Sequence, residues 1–156
     1  MEFDDVLAAW RVNNQVTCVL LELCPDAALD VKPGKGKTVR GNLTHIVNVR
    51  RMWCLEKLRK QAEELPKLDH KTATRVEIME ALGHTSELME QYLLKVRERP
   101  GRWSVALFLA YAVAHEANHR AQIEMALRVN GHEAPDEAQF ALWDWPKIAK
   151  QFEGTN

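Results

Sequence analysis

The stretch from Ser104 to Val129 constrains the fold more than any other part of the sequence. Between Val105 and Ala114 its side chains are apolar almost all round a helix, which predicts that this helix is the most buried in the chain. Polar residues begin abruptly at His115. A helix that turns polar part way along its length suits a site inside a helical bundle, so this stretch predicts both a fold class and a place for chemistry.

Three more helical patterns precede this stretch, each with apolar residues spaced three and four positions apart. They cover approximately Asp4–Cys24, Val39–Gln61 and the segment from Thr74 to Arg99, and a short helix over Glu137–Trp143 follows the fourth. No strand pattern occurs. The sequence therefore predicts an all-α, up-down four-helix bundle, formed by one domain over residues 1–156, with a short C-terminal helical tail.

Residues at the predicted helix ends support these boundaries. Thr38 and Ser104 are of the type that caps the free N–H groups of a first helical turn. Thr74 and Glu77 have the spacing of a capping box, in which each side chain bonds the other residue's backbone N–H. Pro25 ends the first helix because proline lacks an N–H and clashes with the preceding turn.

The charge balance and the cysteines argue against several classes of protein. Lysine and arginine number 21 against 22 aspartates and glutamates, so no overall basic field indicates nucleic-acid binding. The three cysteines form no Cys-x-x-Cys pair and are predicted to be reduced thiols of a cytoplasmic protein. The acidic N-terminus does not resemble a signal peptide, and no apolar run is long enough to predict a membrane span.

Two histidines in the fourth predicted helix have the spacing of metal ligands. His115 and His119 are four residues apart, which stacks both imidazoles on one face of a helix, one turn apart. Such a pair can hold a divalent metal from one rigid element, but two imidazoles rarely suffice. The best candidate for a third ligand is His45, in the second predicted helix.

The same stretch also matches the H-E-x-x-H motif of zinc peptidases, in which both histidines bind zinc and Glu116 is the general base. Glu116 is therefore a candidate catalytic residue. Two features oppose this hypothesis: Met125 stands where the extended motif has a third histidine, and no strand is predicted to hold a peptide. Glu116 also points about 100° away from His115 on a helical wheel, which favours a surface ion pair with Arg120.

Three short motifs occur in order along the chain. The first is His45, early in the second helix. The second is the run His119-Arg120-Ala121-Gln122-Ile123, and the third is the Gly…Pro-Asp ending between residues 131 and 136. Together they make the chain resemble the DinB-like (DinB/YfiT) superfamily over essentially its whole length. The signature of that family is His-Arg-Gly-Gln-[Ile/Leu], so Ala121 stands where glycine is usual, and Glu116 is not part of the signature.

The resemblance implies a four-helix bundle in which His45, His115 and His119 hold a divalent metal ion, commonly zinc or nickel, with water in the open positions. It also implies frequent homodimers, and some relatives are transferases or isomerases that use low-molecular-weight thiols such as bacillithiol or mycothiol. The expected function is therefore a metal-dependent hydrolase or a thiol-dependent transferase that acts on a small molecule.

A third hypothesis is a non-catalytic dimeric module. Trp143 and Trp145 lie in the C-terminal tail and are too large to be left exposed to solvent. The tail is therefore expected to fold back over the bundle or to contact a second subunit, where it would supply buried apolar area.

Overall fold

A computed structural model describes residues 2–152, and its regular structure within that range is entirely helical. The helices are α1 Phe3–Leu23, α2 Val39–Lys57, α3 Arg59–Glu64, α4 Arg75–Glu98, α5 Val105–Val129, α6 Asp136–Ala141 and α7 Trp145–Ala149, with single 3-10 turns at Asp26–Ala28 and Lys150–Phe152. The predicted all-α class is confirmed. Residue 1 and residues 153–156 of the predicted domain lie outside the described range. Within that range, no helix is both long and apolar enough to cross a membrane.

The predicted caps are found where the sequence places them. The Thr38 and Ser104 hydroxyls each accept a hydrogen bond from the backbone N–H three residues on, at 2.9 and 3.2 Å. The capping box forms at the start of α4. The Thr74 backbone N–H donates to the Glu77 carboxylate at 2.7 Å, and the Glu77 backbone N–H donates to the Thr74 hydroxyl at 3.2 Å. These local contacts fix where α2, α4 and α5 begin.

The second helix is shorter than predicted. It ends at Lys57 rather than near Gln61, because Leu58 leaves the helical conformation with φ −133° and ψ 44°. The chain restarts at Arg59 as α3. This break accompanies the burial of two apolar side chains, since Leu58 is 6% exposed and Ala62 is not exposed at all. Tertiary burial therefore overrides the helical periodicity here.

Hydrogen bonds between helices give the direction of each long helix. Asn13 on α1 donates to Glu116 on α5. About one turn later on both helices, Arg120 donates to Thr17, so α1 and α5 are parallel. The same reasoning applies to α2 and α4, which are joined by the bonds Arg50 to Leu82 and Tyr92 to Glu56.

The exact up-down topology predicted for the bundle is not confirmed, because these two pairs of helices are parallel. The helices α2 and α5 are antiparallel. His45 contacts His119, whereas Trp53, which is later on α2, contacts Phe108, which is earlier on α5. The parallel arrangement of α2 and α4 requires residues 58–74 to carry the chain back to the end at which α2 began. The sequence shows the helices but not their directions, because a connection of this length can link either arrangement.

The apolar core has two parts, and a layer of buried polar side chains separates them. One part contains Leu43, Ile46, Ile78, Leu82 and Ile123. The other contains Trp10, Trp53, Tyr92, Leu93 and Phe108. The polar layer receives residues from all four long helices: Asn13, Thr17, Arg50, Thr85, Ser86, Glu116, His119 and Arg120. The switch in polarity along α5 is thus one part of a layer that crosses the whole bundle.

One prediction about burial is wrong. The helix α5 is not the most buried, since it buries nine of its 25 residues whereas α2 buries ten of its 19. Leu107 is 54% exposed, and Ala110 and Ala114 are also exposed, because no other described helix covers this apolar face. In the tail, Trp145 packs partly buried against the core as expected. Trp143 is 74% exposed in the single chain, so a contact between this residue and a second subunit stays a prediction.

Candidate metal centre

The three histidines singled out in the sequence meet at the polar layer. His45 comes from α2, and His115 and His119 come from successive turns of the antiparallel α5. Their ring centroids are 5.4 Å (His45 to His115), 4.5 Å (His45 to His119) and 4.7 Å (His115 to His119) apart. One nitrogen of each ring lies within 4.8 Å of the others, so the three histidines could hold a metal ion together.

Asn42 fixes the orientation of one of these rings. Its amide nitrogen donates to the backbone carbonyls of Thr38 and Lys37, at 3.1 and 3.5 Å. The amide oxygen is left to face Nδ1 of His119, at 2.8 Å. This arrangement makes Nδ1 the protonated nitrogen of His119 and leaves Nε2 free to bind a metal. Asn42 was not predicted; its position three residues before His45, on the same face of α2, is the signal that could have indicated it.

The surroundings keep all three histidines in the form that binds metals. Burial lowers the pKa of His45 and of His115 below that of an ordinary histidine. Burial, and then the neighbouring His45 and His115, lower the pKa of His119 to about 4. The nearby Lys37 adds to the effect on His45 and His119. At neutral pH the cluster is therefore predominantly uncharged, and neutral imidazole is the ligand form.

This donor set fits a catalytic metal site. Zinc–nitrogen bonds of about 2.0–2.1 Å in tetrahedral geometry place two ligand nitrogens about 3.4 Å apart, so nitrogens within 4.8 Å of one another would move closer by at most about 1.4 Å to bind one ion. Three protein ligands leave at least one coordination position open, which distinguishes a catalytic site from a closed structural one. The hydrogen bond from His119 to Asn42 is the outer support that metal-binding histidines usually have.

Glu116 lies in the same layer but belongs to a different group of side chains. Its carboxylate accepts two bonds from the Arg50 guanidinium, at 2.7 and 2.8 Å, and one from the Asn13 amide at 2.7 Å. Arg120 lies 3.8 Å away, so the predicted i,i+4 pair exists. It is not on the surface, however, because Glu116 is only 2% exposed and Arg120 7%. The predicted surface location was wrong because the sequence reasoning overlooked Arg50.

The match to known proteins agrees with this arrangement of residues. Residues 2–144 match the DinB family. The chain belongs to the DinB family. No curated protein and no solved structure matches it.

In this DinB family protein, the run 119–123 supplies residues to both groups of side chains in the polar layer, the histidine cluster and the cluster around Glu116. His119 joins the histidine cluster, whereas the next residue, Arg120, turns toward α1 and donates to the Thr17 hydroxyl at 3.0 Å. The exposed Asn118 and the half-buried Gln122 lie within one turn of the histidine pair.

Arg50 is the most connected side chain of the layer in this DinB family protein. Besides Glu116 on α5, its guanidinium donates to Asn14 on α1 at 2.7 Å and to the Leu82 carbonyl on α4 at 3.2 Å. It also lies 4.8 Å from the centroid of the Trp10 ring. The sequence indicates this buried network, because an arginine in the core-facing stripe of α2 needs a buried partner.

Proposed function

We propose that the protein binds one divalent metal ion, zinc or nickel, through His45, His115 and His119 and acts as a metal-dependent hydrolase or a thiol-dependent transferase on a small molecule. The observation that carries this proposal is the convergence of three imidazole nitrogens within 4.8 Å. Membership of the DinB family supports it. Imidazole ligands suit zinc and nickel, and the choice between them is part of the proposal.

The roles of the chain's own residues follow from the geometry. The three histidines hold the ion from two antiparallel helices, and Asn42 keeps Nε2 of His119 directed at it. When bound, the ion would supply Lewis acidity that lowers the pKa of a water or thiol ligand. All three protein ligands are neutral, so they leave the positive charge of the ion uncompensated and available to an anionic ligand.

Metal analysis tests the binding proposal directly. We expect native-purified protein to contain one zinc or nickel per chain by mass spectrometry, and His45→Ala to lose it. The control is His84→Ala, which removes an exposed histidine outside the cluster. Metal retained without His45, or no metal bound by the wild type even after zinc or nickel is added, would contradict the proposal.

The two reaction classes differ in their need for a second substrate. A hydrolase is expected to cleave an activated ester such as 4-nitrophenyl acetate without thiol. A thiol-dependent transferase is expected to consume an electrophile such as monochlorobimane only when a low-molecular-weight thiol such as bacillithiol is present. In both assays His45→Ala measures the background. Failure of both reactions with metal-loaded protein would leave metal binding without either of these activities.

The peptidase remains a competing hypothesis, but the contacts of Glu116 disfavour it. A general base must be free to take a proton near the metal. The Glu116 carboxylate instead receives three short hydrogen bonds from Arg50 and Asn13. Cleavage of a casein substrate that is lost in Glu116→Gln, with metal content and unfolding temperature unchanged, would restore the peptidase hypothesis.

A homodimer is the proposed assembly, and the exposed apolar face of α5 supports it. Leu107, Ala110, Ala114 and Met125 follow helical spacing along this face, and Leu107 and Met125 are 54% and 47% exposed. A second copy would cover these side chains. Light scattering after gel filtration should give twice the chain mass, and Ala114→Glu should give the monomer. Retention of the metal in that monomer would separate assembly from the metal site.

A further inference from the structure

A row of aromatic rings continues from the histidine cluster along α5. The ring of Tyr111 stacks on that of His115, with centroids 6.0 Å apart and planes 24° apart. The centroid of the Tyr111 ring lies 5.3 Å from that of Trp103 and 5.6 Å from that of Trp53. The rings therefore lead without interruption from the candidate metal centre to two indoles, one on α2 and one just before α5.

The two indoles carry buried hydrogen-bond donors without acceptors. Within residues 2–152, Nε1 of Trp53 and Nε1 of Trp103 are buried and have no hydrogen-bond partner. Trp53 as a whole is only 9% exposed. Trp10 shows the ordinary situation in this protein, since its Nε1 donates to the Ser86 carbonyl and hydroxyl, both at 3.1 Å. Buried donors are usually satisfied, so two neighbouring exceptions indicate an acceptor that the chain itself does not supply.

The outer edge of the two indoles is polar. The guanidinium carbon of Arg102 lies 5.9 Å from the Trp53 ring centroid and 5.7 Å from that of Trp103. Arg102 is largely exposed and sits 3.8 Å from Glu56. The row of aromatic rings therefore has the histidines at one end and the Arg102 guanidinium at the other. Both Tyr111 and Trp103 are half-buried, so part of each residue remains exposed to a ligand placed between the two ends.

We propose that Tyr111, Trp53 and Trp103 form the wall of a substrate subsite beside the three histidines, and that the subsite takes a planar aromatic or conjugated group bearing a hydrogen-bond acceptor such as a carbonyl. The ring faces select the planar group by stacking. The unpaired indole N–H groups select the acceptor, which they reach after a small movement of the side chains. This inference rests on the proposed metal-dependent function, because it assigns the wall to the substrate of that site.

A pair of hydroxamates tests the stacking. Acetohydroxamate and benzohydroxamate share the same metal-chelating group, and only benzohydroxamate has a ring to place against the wall. In calorimetric titrations of zinc-loaded protein, we expect benzohydroxamate to bind about tenfold more tightly, from the extra apolar area that its ring buries. Trp103→Leu should weaken benzohydroxamate binding roughly two- to tenfold and leave acetohydroxamate binding unchanged. Tyr111→Leu, which also removes a ring stacked on His115, should weaken benzohydroxamate binding more than acetohydroxamate binding. The matched control is Trp143→Leu, which removes an exposed tryptophan of the tail.

Indole resonances test the donors without any substitution. In ¹⁵N-labelled, zinc-loaded protein, addition of 4-acetylbenzohydroxamate should shift the Nε1–H signal of Trp53 or Trp103 further than benzohydroxamate does. The Nε1–H signal of Trp10 is the internal control, since its donor already has acceptors on Ser86. This measurement stays informative if a leucine variant unfolds.

The outcomes separate the two proposals. Failure of the wild type to bind zinc would overturn both of them. Binding of zinc and acetohydroxamate, with a benzohydroxamate affinity that neither leucine variant changes, would overturn the subsite and leave the metal centre intact. Equal indole shifts with both aromatic hydroxamates would overturn the claim that the subsite recognises an acceptor.

Discussion

The histidine cluster and the Glu116 cluster are neighbours in one polar layer, yet they have opposite properties. The Glu116 carboxylate and the Arg50 guanidinium are nearly unexposed and are joined by two short hydrogen bonds. In the histidine cluster one nitrogen of each ring converges on the others. Among the described residues, the cluster has one supporting hydrogen bond, which Nδ1 of His119 donates to the Asn42 amide oxygen. Of two adjacent residues, Glu116 thus belongs to the group that holds the fold and His115 to the group that could hold a metal ion.

Breaking the ion pair should have the largest effect. Arg50→Met leaves the Glu116 carboxylate buried without its main partner, which we expect to lower the free energy of unfolding by about 3–5 kcal/mol. Urea denaturation followed by circular dichroism measures it. The control Arg59→Met removes an exposed pair with Glu63 and should cost at most about 1 kcal/mol. Equal losses of unfolding free energy in the two variants would mean that the buried pair stabilises the fold no more than the exposed pair does.

Removing a histidine should affect the metal-loaded protein and not the metal-free fold. With free zinc at one hundred times its dissociation constant, the wild type should gain about 2.7 kcal/mol of stability. We expect His45→Ala to gain none, while its metal-free stability stays close to that of the wild type because His45 is only half-buried. The same thermal unfolding scan, with and without zinc, measures both quantities. A gain shared by wild type and variant would place the bound metal elsewhere.

The support from Asn42 should have a smaller effect on metal affinity. Asn42→Ala removes the acceptor that orients His119, and we expect zinc to bind about 10- to 100-fold more weakly. Competition with a chromophoric chelator measures the affinity. Asn48→Ala is the matched control, since Asn48 is on the same helix but bonds the Leu68 backbone instead. An unchanged affinity in Asn42→Ala would show that packing alone orients the ring.

The smallest effect is expected at the thiols. Cys18, Cys24 and Cys54 are all buried, and burial raises the pKa of Cys54 to about 12. Iodoacetamide at pH 7.5 should therefore leave the native protein unmodified and should label three thiols after unfolding, as counted by mass spectrometry. Rapid labelling of any cysteine in the native protein would contradict this. The absence of labelling in the native protein would agree with the proposal that a transferase reaction uses a low-molecular-weight thiol from solution.

Predictions from the sequence succeeded where the determining contacts are local. The caps at Thr38, Thr74 and Ser104 depend on neighbours within three residues, and each is present. The three histidines were recognised because helical spacing places two of them together and the family resemblance supplies His45. The role of Asn42 was missed because it depends on a residue 77 positions away.

The failures concern partners far away in the sequence. Glu116 was assigned to the surface because only its own helix was considered, and the arginine that pairs with it is 66 residues earlier. The directions of α2 and α4 depend on the path of residues 58–74, which periodicity does not describe. The exposure of Leu107 depends on whether another element covers it, and apolar character alone does not show that.

The contacts of Arg50 also fix the positions of His115 and His119 relative to His45. A slip of α5 by one helical turn would move His115 and His119 by about 5.4 Å relative to His45 and would empty the cluster. The same slip would separate Glu116 from Arg50, which also bonds α1 and α4. The ion pair thus specifies the register of the bundle. The precise geometry of the proposed metal site is enforced by a neighbouring ion pair whose groups bind each other.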